Sequence, residues 1–174
     1  TPKMLIAVYL FGNIDLETWN GLLLWTAILC GFFFLLRCSE YLRKYAKPDE
    51  HKCVRIRNIT FALGNASDEC KLNQPCDEVI WYHEYDKNDW LGVGSGDNIK
   101  LTKKDPRQCI PSHFNRLRGM NPEFFSDRNG DAFVFTQEDG KVLTAATVER
   151  TLRDASLQCG LDPRVISSHS LRAG

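Results

Sequence analysis

A chain of 174 residues is long enough to bury one hydrophobic core, and it predicts a single domain. Hydrophobic residues make up 43% of the chain and charged residues 25%, which excludes collagen, a coiled coil and wholesale disorder. The 22 Lys and Arg residues balance 22 Asp and Glu residues, so net charge exerts no general attraction to nucleic acid or lipid. The chain opens on Thr1 and stops at Gly174 just after a Ser-rich, basic stretch, and we therefore expect a fragment of a longer protein.

Two helices are predicted at the start of the chain. The pattern of apolar side chains predicts a short helix over Pro2–Phe11, which Gly12 ends. Asp15 is the predicted N-cap of a second helix, which runs to about Tyr45 and is closed by Pro48. This second helix contains the most apolar run of the sequence.

Short strands are predicted in the middle of the chain. Branched and aromatic residues predict a strand region within Val54–Phe61 and a second strand at Val79–Tyr82. The polar cluster Asp86–Asp89 then turns the chain. Asn98–Thr102 and Phe133–Phe135 are two further predicted strands.

The second half of the chain is more helical. A helix is predicted over Pro111–Gly119 and a loop over Pro122–Gly130. Thr144 is the predicted N-cap of the last helix, which runs through Cys159 with an apolar face and stops at Gly160. Helices around a small antiparallel sheet assign the chain to the α+β class, with a mostly helical core.

The residues Gly21–Leu36 form a run of sixteen positions without a charge. A helix of that length spans roughly 24 Å, which is less than the hydrocarbon core of about 30 Å. Basic residues after the run would place that side of the membrane in the cytoplasm. The glycosylation sequons at Asn58 and Asn65 lie on the same side of the run, which is the wrong side for that orientation. Because the two membrane signals contradict each other, we predict a helix buried on all sides in a globular core.

The seven cysteines predict free thiols in a reducing compartment. Their number is odd and no Cys-x-x-Cys pair occurs, whereas secreted disulfide scaffolds are shorter and evenly paired. Cys70 and Cys76 have five residues between them, with His83 further on, but zinc sites favour about two to four. The sequence therefore predicts no metal site, and a protein that is not secreted.

Arg37 belongs to the first cluster that could carry chemistry. It directly follows the apolar run, where a charge costs free energy unless it is paired or bound to an anion. Glu40 lies three residues further on and can pair with Arg37 on one helical face. A purely structural ion pair and an anion-binding arginine are the two interpretations of this cluster.

His169 and Arg172 form the second cluster. Their spacing of three residues lets one helical turn aim both side chains at one point. Such a pair suits a phosphodiester, because Arg binds two non-bridging oxygens and His donates or moves a proton. A His-x-x-Arg pair is common by itself, so chance occurrence is the alternative.

Taken together and in order, these segments resemble a known enzyme family. The stretch LLRCSEYL around Arg37 resembles the first arginine box of the tyrosine recombinases, the phage-integrase family. SSHSLRAG around His169 and Arg172 resembles their second box, and VIWYHEYDKNDWLGVG is similar to the hairpin that carries their catalytic lysine. The ending HSLRAG, the Lys-x-Asp turn and the Gly-rich connection are most like the transposon-borne recombinases of the Crypton and DIRS kind.

The resemblance implies the catalytic domain of an enzyme that breaks and rejoins DNA through a phosphotyrosine, without a metal or other cofactor. It implies that Arg37 and Arg172 clamp the scissile phosphate, and that His169 holds the phosphate and assists proton movement. Lys87 would be the general acid that protonates the departing 5′ oxygen. Glu40 would be a buttress that orients Arg37.

The sequence departs from the family pattern at both ends. In these enzymes a His or Trp box and the nucleophilic tyrosine follow the second arginine box, and a helical DNA-clamping domain precedes the catalytic core. This chain ends at Gly174, and none of its five tyrosines occupies the nucleophile's place. We therefore expect a partial catalytic domain over residues 1–174 that binds DNA weakly and does not cleave it. The assignment of the acid is also open, because three other lysines follow the hairpin, namely Lys100, Lys103 and Lys104.

The resemblance implies double-stranded DNA as the partner, self-association on DNA in the complete protein, and no membrane. It implies a nuclear location in a eukaryote and an intracellular one otherwise. The first alternative is a non-catalytic relic of a transposon recombinase, which keeps the fold and holds DNA without cutting it. The second alternative is a membrane-associated protein built around the helix at Gly21–Leu36.

Overall fold

The computed structural model describes residues 2–43, 53–64, 74–82 and 105–167. The chain divides into two compact units, of which the first comprises Thr1–Asp49 and Phe135–Gly174 and the second Glu50–Val134. The described helices are α1 (Pro2–Phe11), α2 (Trp19–Phe33), α3 (Cys38–Tyr41), α4 (Ile110–Met120) and α5 (Ala145–Gln158), and the strands are β1 (Ile59–Ala62) and β2 (Glu78–Trp81). The predicted α+β class with a small antiparallel sheet is confirmed.

In the first unit α1 packs against α5. The buried side of α1 carries Leu5 and Val8, neither of which is exposed to solvent. Gly12 ends α1 as predicted, and a Cβ at this position would lie 2.4 Å from the Val8 carbonyl oxygen of α1 and 3.2 Å from Thr151 Cγ2 on α5. The turn that ends α1 therefore requires glycine at this point, mainly because any side chain would clash with the backbone of α1.

The start of α2 differs from the prediction. Thr18 is the N-cap, because its Oγ1 accepts a hydrogen bond from the Gly21 N–H at 3.2 Å. The Asp15 carboxylate instead accepts from the Glu17 N–H at 3.0 Å in the preceding turn. The prediction that Asp15 caps this helix is therefore wrong, since a local turn engages its side chain before the helix begins.

The end of α2 also differs, since the helix stops at Phe33 and does not continue to Tyr45. Leu35 has a φ of 53°, a left-handed conformation that cannot continue a right-handed helix. All residues of α2 are buried or partly buried, which confirms the predicted helix enclosed on all sides. Within the described ranges, no helix has both the length and the apolar character needed to cross a membrane.

The last helix, α5, agrees with its prediction. The Thr144 Oγ1 accepts from the Thr147 N–H at 3.0 Å, which caps the helix. The predicted apolar face is buried, and it contains Val148 and Leu152. Gly160 follows the helix with a φ of 69°, a conformation that favours glycine.

The second unit contains the sheet. β1 and β2 are antiparallel, with Ile59 opposite Trp81 and Ala62 opposite Glu78. The predicted strand at Val79–Tyr82 is thus confirmed to within one residue. The predicted helix at Pro111–Gly119 is confirmed as α4, and aromatic rings of α4, β1 and the following loop pack together, namely Phe61, Phe114 and Phe125.

Two strand predictions are corrected. The region from Val54 begins with a 3₁₀ turn at Ile56–Asn58 rather than a strand, and the Asn58 side chain caps that turn by accepting from the Arg55 N–H at 2.9 Å. The later part of this prediction is confirmed, because the strand β1 begins at Ile59. The predicted strand Phe133–Phe135 makes only an isolated bridge, between Phe133 and Arg55. Tight turns on either side of Phe133 leave too little extended chain for a ladder of hydrogen bonds.

The predicted loop Pro122–Gly130 contains two 3₁₀ turns. The predicted turn Asp86–Asp89 and the predicted strand Asn98–Thr102 lie outside the described residues.

Candidate functional site

Arg37 lies where α2 has ended and α3 begins. The left-handed conformation of Leu35 turns the chain sharply out of α2, and Leu36 is buried after the turn. Arg37 is then the N-cap residue of α3, and its side chain is 29% exposed. The local sequence thus places a partly buried cation at a break between two helices.

Glu40 holds Arg37 through both its backbone and its side chain. Glu40 Oε2 accepts a hydrogen bond from the Arg37 backbone N–H at 2.6 Å, and Glu40 Oε1 lies 3.2 Å from Arg37 Nη1. One carboxylate therefore caps α3 and also fixes the direction of the guanidinium. The predicted pairing of the two residues is confirmed, but they do not share the face of one continuous helix, because Arg37 precedes α3.

The Arg37 guanidinium has more donors than the carboxylate takes. A guanidinium carries five N–H groups in a planar fork that matches two oxygens of a phosphate. Within the described ranges, Glu40 is the ion-pair partner of Arg37. The other N–H groups of the guanidinium can bind an anion. Partial burial strengthens the attraction between the guanidinium and an anion, because water screens it less.

Backbone hydrogen bonds tie this segment to the start of α5. The Arg43 N–H donates to the Leu143 carbonyl at 2.9 Å, and the Ala145 N–H donates to the Arg43 carbonyl at 3.0 Å. These two bonds form an isolated parallel bridge directly before α5. Arg37 is therefore held on a short segment that is fixed at both ends, by the α2 turn and by this bridge.

Tyr41 lies in the core beneath the same segment. Its side chain is almost fully buried, and its ring packs edge-on against Phe135 with the ring centroids 5.7 Å apart. Burial raises the pKa of Tyr41 well above its ordinary value, and the thiols of Cys38 and Cys30 and the carboxylate of Glu40 raise it further. The phenol is therefore neutral and enclosed, and it serves as a packing group.

Arg153 on α5 reaches the chain that leads to the predicted second box. Its Nε donates to the Ile166 carbonyl at 3.0 Å, and its Nη2 lies 3.9 Å from Glu149 Oε2. Sequence reasoning missed this residue. Its spacing from Glu149 indicates only an exposed pair one helical turn apart, whereas the contact with Ile166 depends on how the chain reverses after α5.

The other predicted site residues lie outside the described part of the chain. These are Lys87, His169 and Arg172, together with the alternative lysines Lys100, Lys103 and Lys104. The structure therefore describes Arg37 and Glu40 of the predicted site and brings those two together.

Thiols and metal ligands do not cluster in the described ranges. No group of three or more His, Cys, Asp or Glu side chains there could hold a metal ion. Six described cysteines are free thiols, namely Cys30, Cys38, Cys53, Cys76, Cys109 and Cys159. Cys70 and His83, which the sequence placed near Cys76, lie outside the described residues.

No protein-family model, no curated protein and no solved structure matches this chain.

Proposed function

We propose that this chain belongs to a tyrosine recombinase, an enzyme that breaks and rejoins DNA through a phosphotyrosine intermediate, and that it supplies the phosphate-binding side of the catalytic centre. The observation that carries the proposal is Arg37, a partly buried cation whose direction Glu40 fixes. A cation held in place before the reaction stabilises the charge that develops on a phosphate in the transition state. The order of the two arginine boxes around a lysine hairpin supports the same function.

The choice of residue at position 37 favours a functional role. The cap bond to Glu40 comes from the backbone N–H of Arg37, which any residue other than proline could supply. N-cap positions favour Ser, Thr, Asp and Asn. Capping of α3 therefore does not by itself call for arginine at position 37, and departures from local preference are expected at functional sites.

The proposed division of labour follows the chemistry of a phosphodiester. Arg37 and Arg172 bind the non-bridging oxygens, while His169 holds the phosphate and moves a proton. Lys87 protonates the departing 5′ oxygen, and Glu40 keeps Arg37 in its orientation. The leaving oxygen is replaced by a tyrosine oxygen without a change in oxidation state, so the exchange needs no redox cofactor. The two arginines supply the positive charge and Lys87 the proton for this step.

The proposed partner is double-stranded DNA. The complete protein would assemble with further copies of itself on DNA, in the nucleus if the source is a eukaryote. A non-catalytic relic of such a recombinase would share the Arg37 and Glu40 geometry and hold DNA without cutting it. Formation of a covalent protein–DNA adduct distinguishes an active recombinase from such a relic.

The test begins by sequencing the source transcript past the Gly174 codon and expressing the whole product. That product is incubated with duplexes from both ends of the genetic element that encodes it. We expect a protein–DNA adduct that survives detergent and disappears with protease, and that Arg37→Ala abolishes. Arg150→Ala, which removes one exposed arginine from α5, is the matched control and should leave the adduct intact.

Binding without an adduct would support the relic. Neither binding nor an adduct, from a folded product and both duplexes, would overturn the proposed function.

A further inference from the structure

Two arginines of the second unit, Arg55 and Arg57, are held in place by their backbones. The Arg57 N–H donates to the Gly130 carbonyl at 3.0 Å, and Arg55 forms the isolated antiparallel bridge with Phe133. Each side chain therefore leaves the backbone from a fixed point on the same short segment.

Both arginine side chains reach one acidic residue, Asp131. Arg55 Nη1 donates to the backbone carbonyl of Asp131, and Arg57 Nη1 donates to Oδ1 of its carboxylate. The Arg55 guanidinium also lies over the Phe133 ring, with its central carbon 4.5 Å from the ring centroid. Two guanidiniums of fixed direction thus converge on a single aspartate.

This cluster of Arg55, Arg57 and Asp131 lies at the surface and carries a surplus positive charge. The side chains of Arg57 and Asp131 are 49% and 80% exposed, and Arg55 is partly buried. The adjacent 3₁₀ turn adds one exposed acid and one exposed base, Asp127 and Arg128, whose charges cancel. An ion pair as exposed as that of Arg57 contributes little to stability, because water screens it. Another anion can therefore replace the carboxylate without a large loss of stability.

A phosphodiester resembles the Asp131 carboxylate in charge and in its acceptor atoms. Each carries one negative charge that two oxygens share, and a guanidinium binds such a group through its planar fork of N–H donors. DNA adds a term that a carboxylate of the chain lacks, because an arginine that binds its backbone releases condensed counterions. At low salt the DNA phosphate is therefore the stronger ligand for the two arginines.

We propose that Arg55 and Arg57 form a second phosphate contact of this chain, at which the backbone of duplex DNA replaces the Asp131 carboxylate. The inference rests on the proposed function in taking duplex DNA as the partner, but it uses none of the residues proposed for catalysis. The contact holds the DNA backbone and does not act on the reacting phosphate. Asp131 is then an internal competitor of the phosphate.

The test measures the affinity of the present chain for a short fluorescent DNA duplex at several salt concentrations. Arg57→Ala removes the more exposed arginine and keeps the backbone bond to Gly130. Asp131→Asn removes the competing charge and keeps a side-chain oxygen that accepts from Arg57. Arg150→Ala and Asp154→Asn change exposed charges on α5 and are the matched controls.

We expect Arg57→Ala to weaken binding about fivefold and to make the salt slope shallower by about one counterion. Asp131→Asn should tighten binding about threefold, because a charge that repels the phosphate is gone. Each control should stay within about twofold of the unchanged chain. The thermal unfolding midpoint identifies any variant that fails to fold, and Arg57→Gln replaces Arg57→Ala if that variant unfolds.

The sign of the Asp131→Asn effect separates binding from a purely structural role. A structural role predicts weaker binding, because loss of the carboxylate would release Arg57. Weaker binding by Asp131→Asn would overturn the inference, as would tightening no greater than that of Asp154→Asn. Unchanged affinity and salt slope in Arg57→Ala would also overturn it. An oligoglutamate peptide that binds as tightly as the duplex through Arg57 would replace DNA by an acidic protein as the partner of this cluster.

Arg37→Ala, measured beside these variants, distinguishes failure of this inference from failure of the proposed function. If Arg37→Ala weakens binding and Arg57→Ala does not, the inference fails alone. If Arg57→Ala weakens binding and Arg37→Ala does not, the inference stands and the proposed role of Arg37 fails. No binding of the duplex by the folded chain at low salt would overturn both.

Discussion

Two arginines of the first unit each face a glutamate one helical turn away, but the surroundings of the pairs differ. Arg37 and Glu40 are 29% and 17% exposed and lie 3.2 Å apart, and the carboxylate also binds the Arg37 backbone. Arg153 and Glu149 are 48% and 29% exposed and 3.9 Å apart. Glu40 fixes the direction of the Arg37 guanidinium. The Arg153 guanidinium instead makes its hydrogen bond to the Ile166 carbonyl, thirteen residues away.

The comparison shows that residue type and spacing do not decide what an ion pair does. Water screens the more exposed pair, so it contributes little by itself. The less exposed pair keeps more of its attraction and is reinforced by a backbone bond. We therefore expect Arg37 to act on a ligand directly, whereas Arg153 joins α5 to the chain that follows it.

The largest expected effect distinguishes these two arginines in covalent chemistry. In the product of the complete transcript, Arg37→Ala should slow adduct formation about 1000-fold, because a donor to the transition-state charge is lost. Arg153→Ala should slow it less than about tenfold, since the Arg153 side chain holds the chain after α5. Adduct yield is followed on denaturing gels over time. Equal losses for the two variants would contradict the role given to Arg37.

The next effect separates phosphate binding from proton donation. Lys87→Ala should slow cleavage of an ordinary DNA strand about 100-fold, because the departing 5′ oxygen needs a proton. A substrate with sulfur at that position leaves without protonation and should be cleaved nearly normally. Arg37→Ala should slow both substrates. Equal slowing of both substrates by Lys87→Ala would move the acid role to one of the lysines that follow it.

A third effect concerns the stability of the present chain. Glu40→Ala should lower the free energy of unfolding by about 2 kcal/mol, since both the cap bond and the ion pair are lost. Glu40→Gln should cost about 1 kcal/mol because it can still cap α3. Glu149→Ala should cost only about 0.3 kcal/mol. Urea denaturation measures all three, and similar values for Glu40→Ala and Glu149→Ala would contradict the role given to burial.

The smallest expected effect concerns a buried histidine of the second unit. His113 is buried on α4, its Nε2 lies 3.0 Å from the Arg107 carbonyl, and burial lowers its pKa below 6.5, with a further lowering from Arg116. The neutral imidazole is therefore favoured in the folded state. Its contribution to stability is complete above the ordinary pKa of 6.5 and is lost as the pH falls through the lowered value.

Urea denaturation of the chain between pH 7.5 and pH 5, at about half-unit steps, checks the His113 prediction. Stability should fall toward the acid end, and His113→Gln, which keeps a donor for the Arg107 carbonyl, should make the dependence shallower. An unchanged slope in that variant would assign the dependence to other groups.

The helices that sequence predicts well are those whose ends are determined locally. α5 begins at Thr144 and is followed by Gly160, and each acts through bonds or dihedral angles within one turn. The limits of α2 were missed because Asp15 and Thr18 compete for the cap, and because the left-handed Leu35 has no local signal. Leu35 is held there by the burial of its neighbours, which is a property of the tertiary structure.

The candidate site was predictable to a similar degree. The pairing of Arg37 with Glu40 follows from their spacing, and the structure contains it. The cap bond was not predictable, because it requires a new helix to begin at Arg37. The contact between Arg153 and Ile166 joins residues thirteen positions apart and depends on a chain reversal, so neither periodicity nor spacing indicates it.

The central claim is that Arg37 is a phosphate-binding residue of a DNA-processing protein. Its most direct test is the salt dependence of duplex binding by the present chain, compared between the unchanged protein, Arg37→Ala and Arg150→Ala. We predict weak binding that Arg37→Ala reduces about fivefold or more, with a salt slope shallower by about one counterion, while Arg150→Ala stays within about twofold. Identical affinities and slopes for Arg37→Ala and the unchanged chain, both folded, would contradict the claim.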